Sequence, residues 1–501
     1  MTRSHSLALL GLLGVACAPA ATTQPAHGAA PSAVVSPPPA SDPNSFRLTA
    51  PKPGPHPAVR FPTPDVKELA NGLTLMVVPK RSAVTTLSVV MRVGAGSLPP
   101  GKSGLAALTA RMLTEGTQLR SSLALAEASE SLGSTLSADA GRDESQVELA
   151  TLTGDATRGL ELLAEVVFKP AFRDVDFARV KDEWLDGLRA ERQEPSRLAS
   201  LAALRALLGP SAGAPVSGSV PDVQKLTVAD LKAFHRQNYV PRNLAVIAVG
   251  DVTLPQLEPD VQRLFGQGQS QPATSSSAGR APAALGEAPS KLRILIVDRK
   301  DSVQSSIFAV QPFPKRADPG FEAREIMASL LGGLFTSRLN TNLREQHAFT
   351  YGAHGRALAT RDWGAFYVAT DVKSETTAEA LRELLAELER ARDPKRGAPI
   401  NEQEANRART DLMHSLGARL EHTGAIADSI GTLFVQQLPP DYYTKYPALV
   451  SAVPTQEVSA QAAKLAPQRL VVVIVGDREQ IQASLKQGGF ELESATPALL
   501  E

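Results

Sequence analysis

The chain has 501 residues, 52 basic and 52 acidic side chains for a formal net charge of zero, 43% hydrophobic residues and 21% charged ones. That length exceeds what one hydrophobic core usually supports, so two or more domains are expected. The balanced charge removes the electrostatic pull on a phosphate backbone, and no nucleic-acid partner is expected.

Residues 1–17, MTRSHSLALLGLLGVAC, combine a weakly basic start at Arg3 with an apolar run from Leu7 to Val15. The run is too short to span a bilayer and reads as a signal peptide. Cys17 is the only cysteine, which excludes an intramolecular disulfide and a cysteine-based metal site. Its place after the apolar run resembles a bacterial lipobox, with Gly14 where Leu or Val is commoner; plain cleavage near Ala18 or Ala20 is the alternative. A lipidated Cys17 would place the chain on the periplasmic side of a bacterial cell envelope, held to a membrane by a lipid anchor. Residues 18–60 are rich in Pro, Ala and Ser without periodicity, and read as an extended tether rising about 3.1 Å per residue.

The folded part falls into an N-terminal domain, 61–265, and a C-terminal domain, 291–488, joined by the polar linker 266–290 and followed by a tail, 489–501. In the first, LTLMVVPKRSAVTTLSVV (73–90) reads as two strands about a basic turn, hairpin-like, leading into helical segments such as LALAEASESLG. PRNLAVIAVGD (241–251) is a closing buried strand. The second domain repeats this order. LRILIVDRKDSVQSSIFAV (292–310) is again a strand pair, ALRELLAELERAR is a helix with a core-facing leucine stripe, and PQRLVVVIVGD (467–477) matches the first closing strand at six of eleven positions. Offsets of about 220 residues point to a tandem duplication. The fold class expected is α+β, two homologous domains, each a mostly antiparallel sheet with helices packed on one face.

NGLTLMVV (71–78), VGAGSLPPGKSGLA (93–106), MLTEGT (112–117) and the stretch 217–251 resemble landmarks of the pitrilysin/insulinase superfamily of zinc peptidases, especially its members similar to the mitochondrial processing peptidase. The resemblance covers about residues 62–480. It implies a chain forming half of a peptide-enclosing chamber. Active members carry an inverted zinc motif, His-x-x-Glu-His, on a helix, so that two imidazoles meet one metal and the Glu activates its water. In GLAALTARMLTEGT (104–117) the two His positions fall on Ala107 and Arg111 and the Glu position on Ala110. The family's third ligand, a Glu further along the chain, falls on Gly187 with Asp186 beside it, anchoring by Phe177 and Pro195. No histidine lies between His56 and His235, so no shift of register restores the pair. No zinc and no other cofactor is expected in this chain. His347 and His354 read as surface or hydrogen-bonding histidines, Glu421-His422 is an isolated dipeptide, and no Gly-x-Ser-x-Gly elbow marks a serine hydrolase.

LLGGLFTSRLNTNLREQHAFTYGA (330–353) resembles the family's C-terminal signature, Leu-Gly-Gly-x-x-x-Ser-Arg-Leu, Leu-Arg-Glu, then Tyr. In complete assemblies the Arg and Tyr reach across to the zinc site; they correspond to Arg344 and Tyr351. Guanidinium and phenol are donors suited to holding a carbonyl or an oxyanion without titrating near neutrality. The alternative is structural: Arg344 paired with Glu345, and Tyr351 a core aromatic. Gly332 and Gly333 are read as allowing close backbone approach or a turn with positive φ. Together these features imply a non-catalytic subunit of a zinc metallo-endopeptidase, inactive alone, partnered by a superfamily subunit carrying His-x-x-Glu-His and acting on unfolded peptides. The rival reading is a structural or peptide-binding lipoprotein of the same fold without a proteolytic role.

Overall fold

The computed structural model describes residues 45–48, 59–266 and 288–493. Cys17 and its signal segment, nearly all of the tether, the linker from 267 to 287 and the tail from 494 lie outside the described residues. Ala58–Glu501 forms one compact unit, separate from Met1–Pro57, in which a 3-10 turn, Ser45–Leu48, is described. No described helix is long and apolar enough to cross a membrane.

Two sheets organise the compact unit. The first takes β1 (Asp65–Glu68), β2 (Thr74–Pro79), β3 (Val84–Met91), β4 (Ser137–Ala140), β5 (Ser145–Leu152) and β6 (Leu244–Gly250) in the order β1-β2-β6-β3-β5-β4. The second takes β7 (Arg293–Asp298), β8 (Gln304–Phe313), β9 (Ala353–Ala359), β10 (Gly364–Lys373) and β11 (Val471–Gly476) in the order β7-β11-β8-β10-β9. Removing β1 makes the two orders equivalent, strand for strand, as a duplication requires. Each sheet has one parallel pair, β2 with β6 and β7 with β11, and is otherwise antiparallel.

The strands read as a hairpin are not paired with each other. β6 lies between β2 and β3, and β11 between β7 and β8. All seven residues of β6 and all six of β11 are buried. Such strands belong in the middle of a sheet, where both faces are covered. Hairpins instead join β1 to β2, through Asn71-Gly72 with Gly72 at φ 85°, β4 to β5 and β9 to β10.

Eight helices set the layers: α1 (Leu105–Leu113), α2 (Ala156–Phe168), α3 (Asp174–Glu191) and α4 (Pro195–Ala212) in the first half, α5 (Phe321–Ala328), α6 (Thr377–Arg392), α7 (Glu402–Ala418) and α8 (Thr423–Val435) in the second. α6 turns Leu381, Leu384 and Leu388 into the core, as its leucine spacing predicts. In the first half, Leu87, Val89 and Met91 of β3 and Val246 and Ala248 of β6 pack with α1 and α2. The other face of the same strands, with Val90, Ile247 and Val249, is covered by Ile426, Ile430 and Phe434 of α8. The second half shows the reciprocal arrangement. Ala199, Ala203 and Leu207 of α4 pack on Leu295, Val310, Val473 and Val475. Helices of a half therefore do pack on one face of their own sheet, except α4 and α8, which are exchanged. Each fully buried large apolar side chain contributes about 1.5–3 kcal/mol, so the exchange ties the halves together firmly.

α5 runs directly into a π-helical turn, Ser329–Gly333, and after a short helix at Arg338–Asn340 a second one follows, Thr341–Gln346. The first turn presses on β9. A Cβ on Gly332 would lie 2.1 Å from the amide nitrogen of Gly355, whereas the nearest atom to one on Gly333 would be 3.5 Å away. Neither glycine has a positive φ. Close approach accounts for Gly332, and the positive-φ reading does not hold for either. Gly332→Ala is expected to destabilise the fold by about 1–3 kcal/mol, and Gly333→Ala to change it by less than about 0.5 kcal/mol. Chemical denaturation of the two variants measures both.

Candidate functional site

The positions that the family resemblance assigns to zinc binding lie on α1 and α3. Ala107 and Ala110 are 6% and 0% exposed, and carry no donor atom that could reach a metal. Arg111 turns its guanidinium onto Glu115, one helical turn on, at 2.6 Å, and donates to Thr114 Oγ1 at 2.7 Å. Glu115 is buried and is also bound by Arg179 of α3, so an ion-pair chain joins the two helices. Gly187 faces open space. It lines, with Arg111, Trp184, Leu188, Glu191 and Ser217, a cleft of about 640 Å³. Asp186 is directed away and pairs with Arg189 at 2.6 Å. The structure thus brings Arg111 and Gly187 to one cleft. The residues there do not fit zinc: a methyl group at Ala107, a fixed cation at Arg111 and no side chain at Gly187 replace three ligands, and Ala110 offers no base. Among the described residues no group of three or more His, Cys, Asp or Glu side chains is arranged to hold a metal ion.

The second site is built by the two π-helical turns and the sheet beneath them. Irregular turns of this kind inside helices commonly mark functional positions, because they redirect side chains that a regular helix would turn elsewhere. Arg338, just before the second turn, is held by both oxygens of Glu404, at 2.9 and 2.8 Å, and donates to the carbonyls of Ala398 and Pro399. Burial raises the acid form of Glu404, but the Arg338 bonds outweigh it and hold this carboxyl below its ordinary range. Asn340, 5% exposed, donates to the carbonyl of Leu334 at 3.1 Å and accepts from the amide of Ala353 at 2.8 Å, stapling the loop to the start of β9.

Arg344 projects from the second turn. Its guanidinium lies 4.2 Å from the centroid of Phe335, and its Nε is 3.6 Å from Glu345. The structural alternative for Arg344 is therefore present in part, as a long ion pair. For Tyr351 it fails: the ring is 92% exposed. The loop that carries it is fixed on both sides, since Gly352 N–H donates to Thr350 Oγ1 at 3.0 Å and Thr370 Oγ1 donates to the Gly352 carbonyl at 3.0 Å. Arg344, Tyr351, Phe335 and His354 line one cleft of about 680 Å³ over β8 and β10, with Ser306 and Asp371 in its floor and Ser196 of α4 at its side. Ser306 donates to Asp371 at 2.5 Å. This arrangement offers a cation, a phenol and an exposed aromatic face to a ligand.

His347 and His354 do not meet. His347 stacks on Phe349, with its Nδ1 3.0 Å from the carbonyl oxygen of Asn342, and His354 is exposed on β9. His422 precedes the first turn of α8. Phe335 and Asn340 were missed by sequence reasoning. Both occupy unspecified positions of the signature, and residue type alone does not reveal that one packs against a guanidinium and the other ties two loops.

Comparison with known proteins agrees with this division. The family model described as Insulinase (Peptidase family M16) matches residues 75–208, and that described as Peptidase M16 inactive domain matches residues 225–412. An uncharacterized zinc protease of Mycobacterium tuberculosis is 26% identical over 79% of this chain and 89% of its own length. A probable mitochondrial-processing peptidase subunit beta of Arabidopsis thaliana is 24% identical over 74% of this chain and 70% of its own. A non-peptidase homolog, YmxG, of Helicobacter pylori is 24% identical over 58% of this chain and 66% of its own. Among solved structures, a peptidase M16 inactive domain from Pseudomonas fluorescens superposes with a TM-score of 0.74 at 25% identity, covering 83% of this chain and 98% of that one. A protease from Helicobacter pylori gives 0.76 at 19% identity, covering 83% and 100%, a likeness of fold. The chain belongs to the M16 peptidase family, the pitrilysin/insulinase superfamily, as an inactive member in which the zinc-binding positions no longer carry ligands.

Proposed function

We propose that the chain is the non-catalytic subunit of an envelope zinc endopeptidase and lends Arg344 and Tyr351 to a related subunit that carries His-x-x-Glu-His. One observation carries this reading. Tyr351 lies almost fully exposed on a braced loop, lining one cleft with Arg344, while Arg111, at a would-be ligand position of the same chain, is paired with Glu115. An exposed phenol on a braced loop contributes little to its own fold. It has a use if something outside the chain meets it.

The chemistry assigned to this chain is binding and polarisation. An extended peptide adds to the edge strand β9 through main-chain hydrogen bonds, which are indifferent to sequence. Arg344 and Tyr351 then donate to a carbonyl oxygen as negative charge develops on it. Zinc, held by the partner, supplies the activated water. A relative named as a processing-peptidase subunit supports a two-chain assembly, and a relative named as a non-peptidase homolog supports the loss of independent activity. The membrane anchor belongs to the same proposal: a lipid on Cys17, at the head of the tether.

The purified chain alone is expected to bind less than 0.1 equivalent of zinc by elemental analysis (about one-tenth occupancy at most, for a site without ligands) and to cleave no peptide. In the reconstituted assembly, Arg344→Ala or Tyr351→Phe is expected to lower kcat by about 10²- to 10³-fold with assembly and zinc content unchanged. The double substitution should lose less than the product of the two, because both donors serve one substrate group. Full activity in both variants would favour a structural or peptide-binding role instead. Cys17→Ala is expected to move the protein from the membrane to the soluble fraction, since acyl burial supplies about 0.8 kcal/mol per methylene; unchanged fractionation would reject the anchor alone.

A further inference from the structure

A smaller cavity, of about 230 Å³, shares no lining residue with the Arg344 cleft. It lies where α5 and the loop before it meet α7, α8 and the helix Tyr442–Ala452. One wall is aromatic: Tyr442 and Tyr446, 9% and 8% exposed, form a cluster with Tyr443 in which ring centroids are 5.2 to 6.3 Å apart. Tyr442 donates to Glu322 at 2.8 Å, which orients the ring and occupies that carboxylate.

Three charged side chains line the same cavity and do not pair with one another. The Arg316 guanidinium is held by rings, 3.6 Å from the centroid of Phe321 and 5.1 Å from that of Tyr442. Arg419, exposed at the end of α7, lies within reach of the Tyr443 hydroxyl. Glu325 of α5 is partly buried, and among the described residues its carboxylate accepts no hydrogen bond and joins no ion pair. Arg324 beside it does not serve, because its guanidinium donates to the carbonyls of Lys315, Asp318 and Pro319. Burial, with Glu322 adding to it, pushes Glu325 up to about 7 against the pull of Arg316, Arg324 and Arg419.

A carboxylate drawn out of water without a partner works against its own fold, and the charges around this one select what can meet it. A cation alone would face two guanidinia, an anion alone would face Glu325, and a neutral ligand would leave all three unpaired. A molecule with an ammonium and a carboxylate on one carbon satisfies the set, the carboxylate accepting from guanidinium N–H groups and the ammonium donating to Glu325. The ammonium also draws Glu325 back toward its ionised form. An apolar side chain on the same carbon meets the tyrosine rings and Leu416. The volume is below the ~300–1,000 Å³ usual for small-molecule sites, so the ligand is small. We propose that this cavity binds a free α-amino acid with an apolar side chain of about leucine's size, its carboxylate on Arg316 and Arg419 and its ammonium on Glu325. Bound there, the amino acid bridges α5 to the end of α7 and stabilises the folded chain by mass action.

Calorimetric titration of L-leucine into the full chain, at about pH 8 so that Glu325 is mostly ionised, is expected to give a single-site isotherm, and leucine to raise Tm in a saturable way. N-acetyl-L-leucine lacks the ammonium and L-leucinamide the carboxylate; each is expected to bind about ten- to a hundredfold more weakly. Glu325→Gln should weaken leucine binding by a similar factor. It should leave Tm of the unliganded chain equal or higher, because it removes an unpartnered carboxylate, whereas a purely structural Glu325 would lower it. Arg419→Gln, at an exposed position, tests the carboxylate end without disturbing the core and should weaken binding by a smaller factor, since Arg316 remains. Absence of leucine binding in the parent chain, equal binding of either derivative, or unchanged affinity in both variants overturns the site. The measurement uses this chain alone, so its outcome is independent of any zinc-bearing partner.

Discussion

The central strands of both sheets are apolar on both faces, and a half has helices to cover only one. β6 buries every residue from Leu244 to Gly250, and β11 every residue from Val471 to Gly476. Leaving the second face bare would expose a contiguous apolar patch of a kind that soluble proteins reserve for interfaces. The solution is exchange: α4 covers the second sheet and α8 the first. This fixes the orientation of the halves, and it leaves β8 and β10, beside Ser196 of α4, as the floor of the cleft that holds Arg344 and Tyr351.

The two halves share a topology and differ where chemistry would occur. α1 is a regular helix on which alanines replace donors and Arg111 closes an ion pair. At the corresponding place in the second half, α5 gives way to two π-helical turns, and these present Arg344 outward while burying Leu343. The Arg111–Glu115–Arg179 chain links α1 to α3 through partly exposed ion pairs.

Much of this was legible in the chain. The repeat of the closing strands, the mixture of strands and helices, the leucine stripe of α6 and the missing histidines are local patterns, and local patterns survive in sequence. Other features depend on distant partners. An apolar run such as 73–78 announces a strand but not its neighbour, and β6, some 170 residues on (about the span of one whole domain), is what separates β2 from β3. The amphipathic pattern of α8 announces a buried face but not the sheet it meets. Tyr351 shows the same limit at one residue, since a tyrosine beside a strand is as easily a core aromatic as a projecting one. Its exposure is decided by Thr350, Gly352 and Thr370 together.

The helix exchange also sets an order on assembly during synthesis. When β7 to β11 come together, α4 has already been made, and the second sheet finds its cover waiting. The first sheet is complete in sequence at Gly250, yet its covering helix does not begin until Thr423. Contacts so far apart in the chain are slow to form, and an apolar face left bare in the interval is prone to aggregation. A nascent chain therefore passes through a stage in which its first half has strands but lacks one wall. The first sheet is thus the one that waits for its cover, whereas the second, complete only at Gly476, has its own from the start.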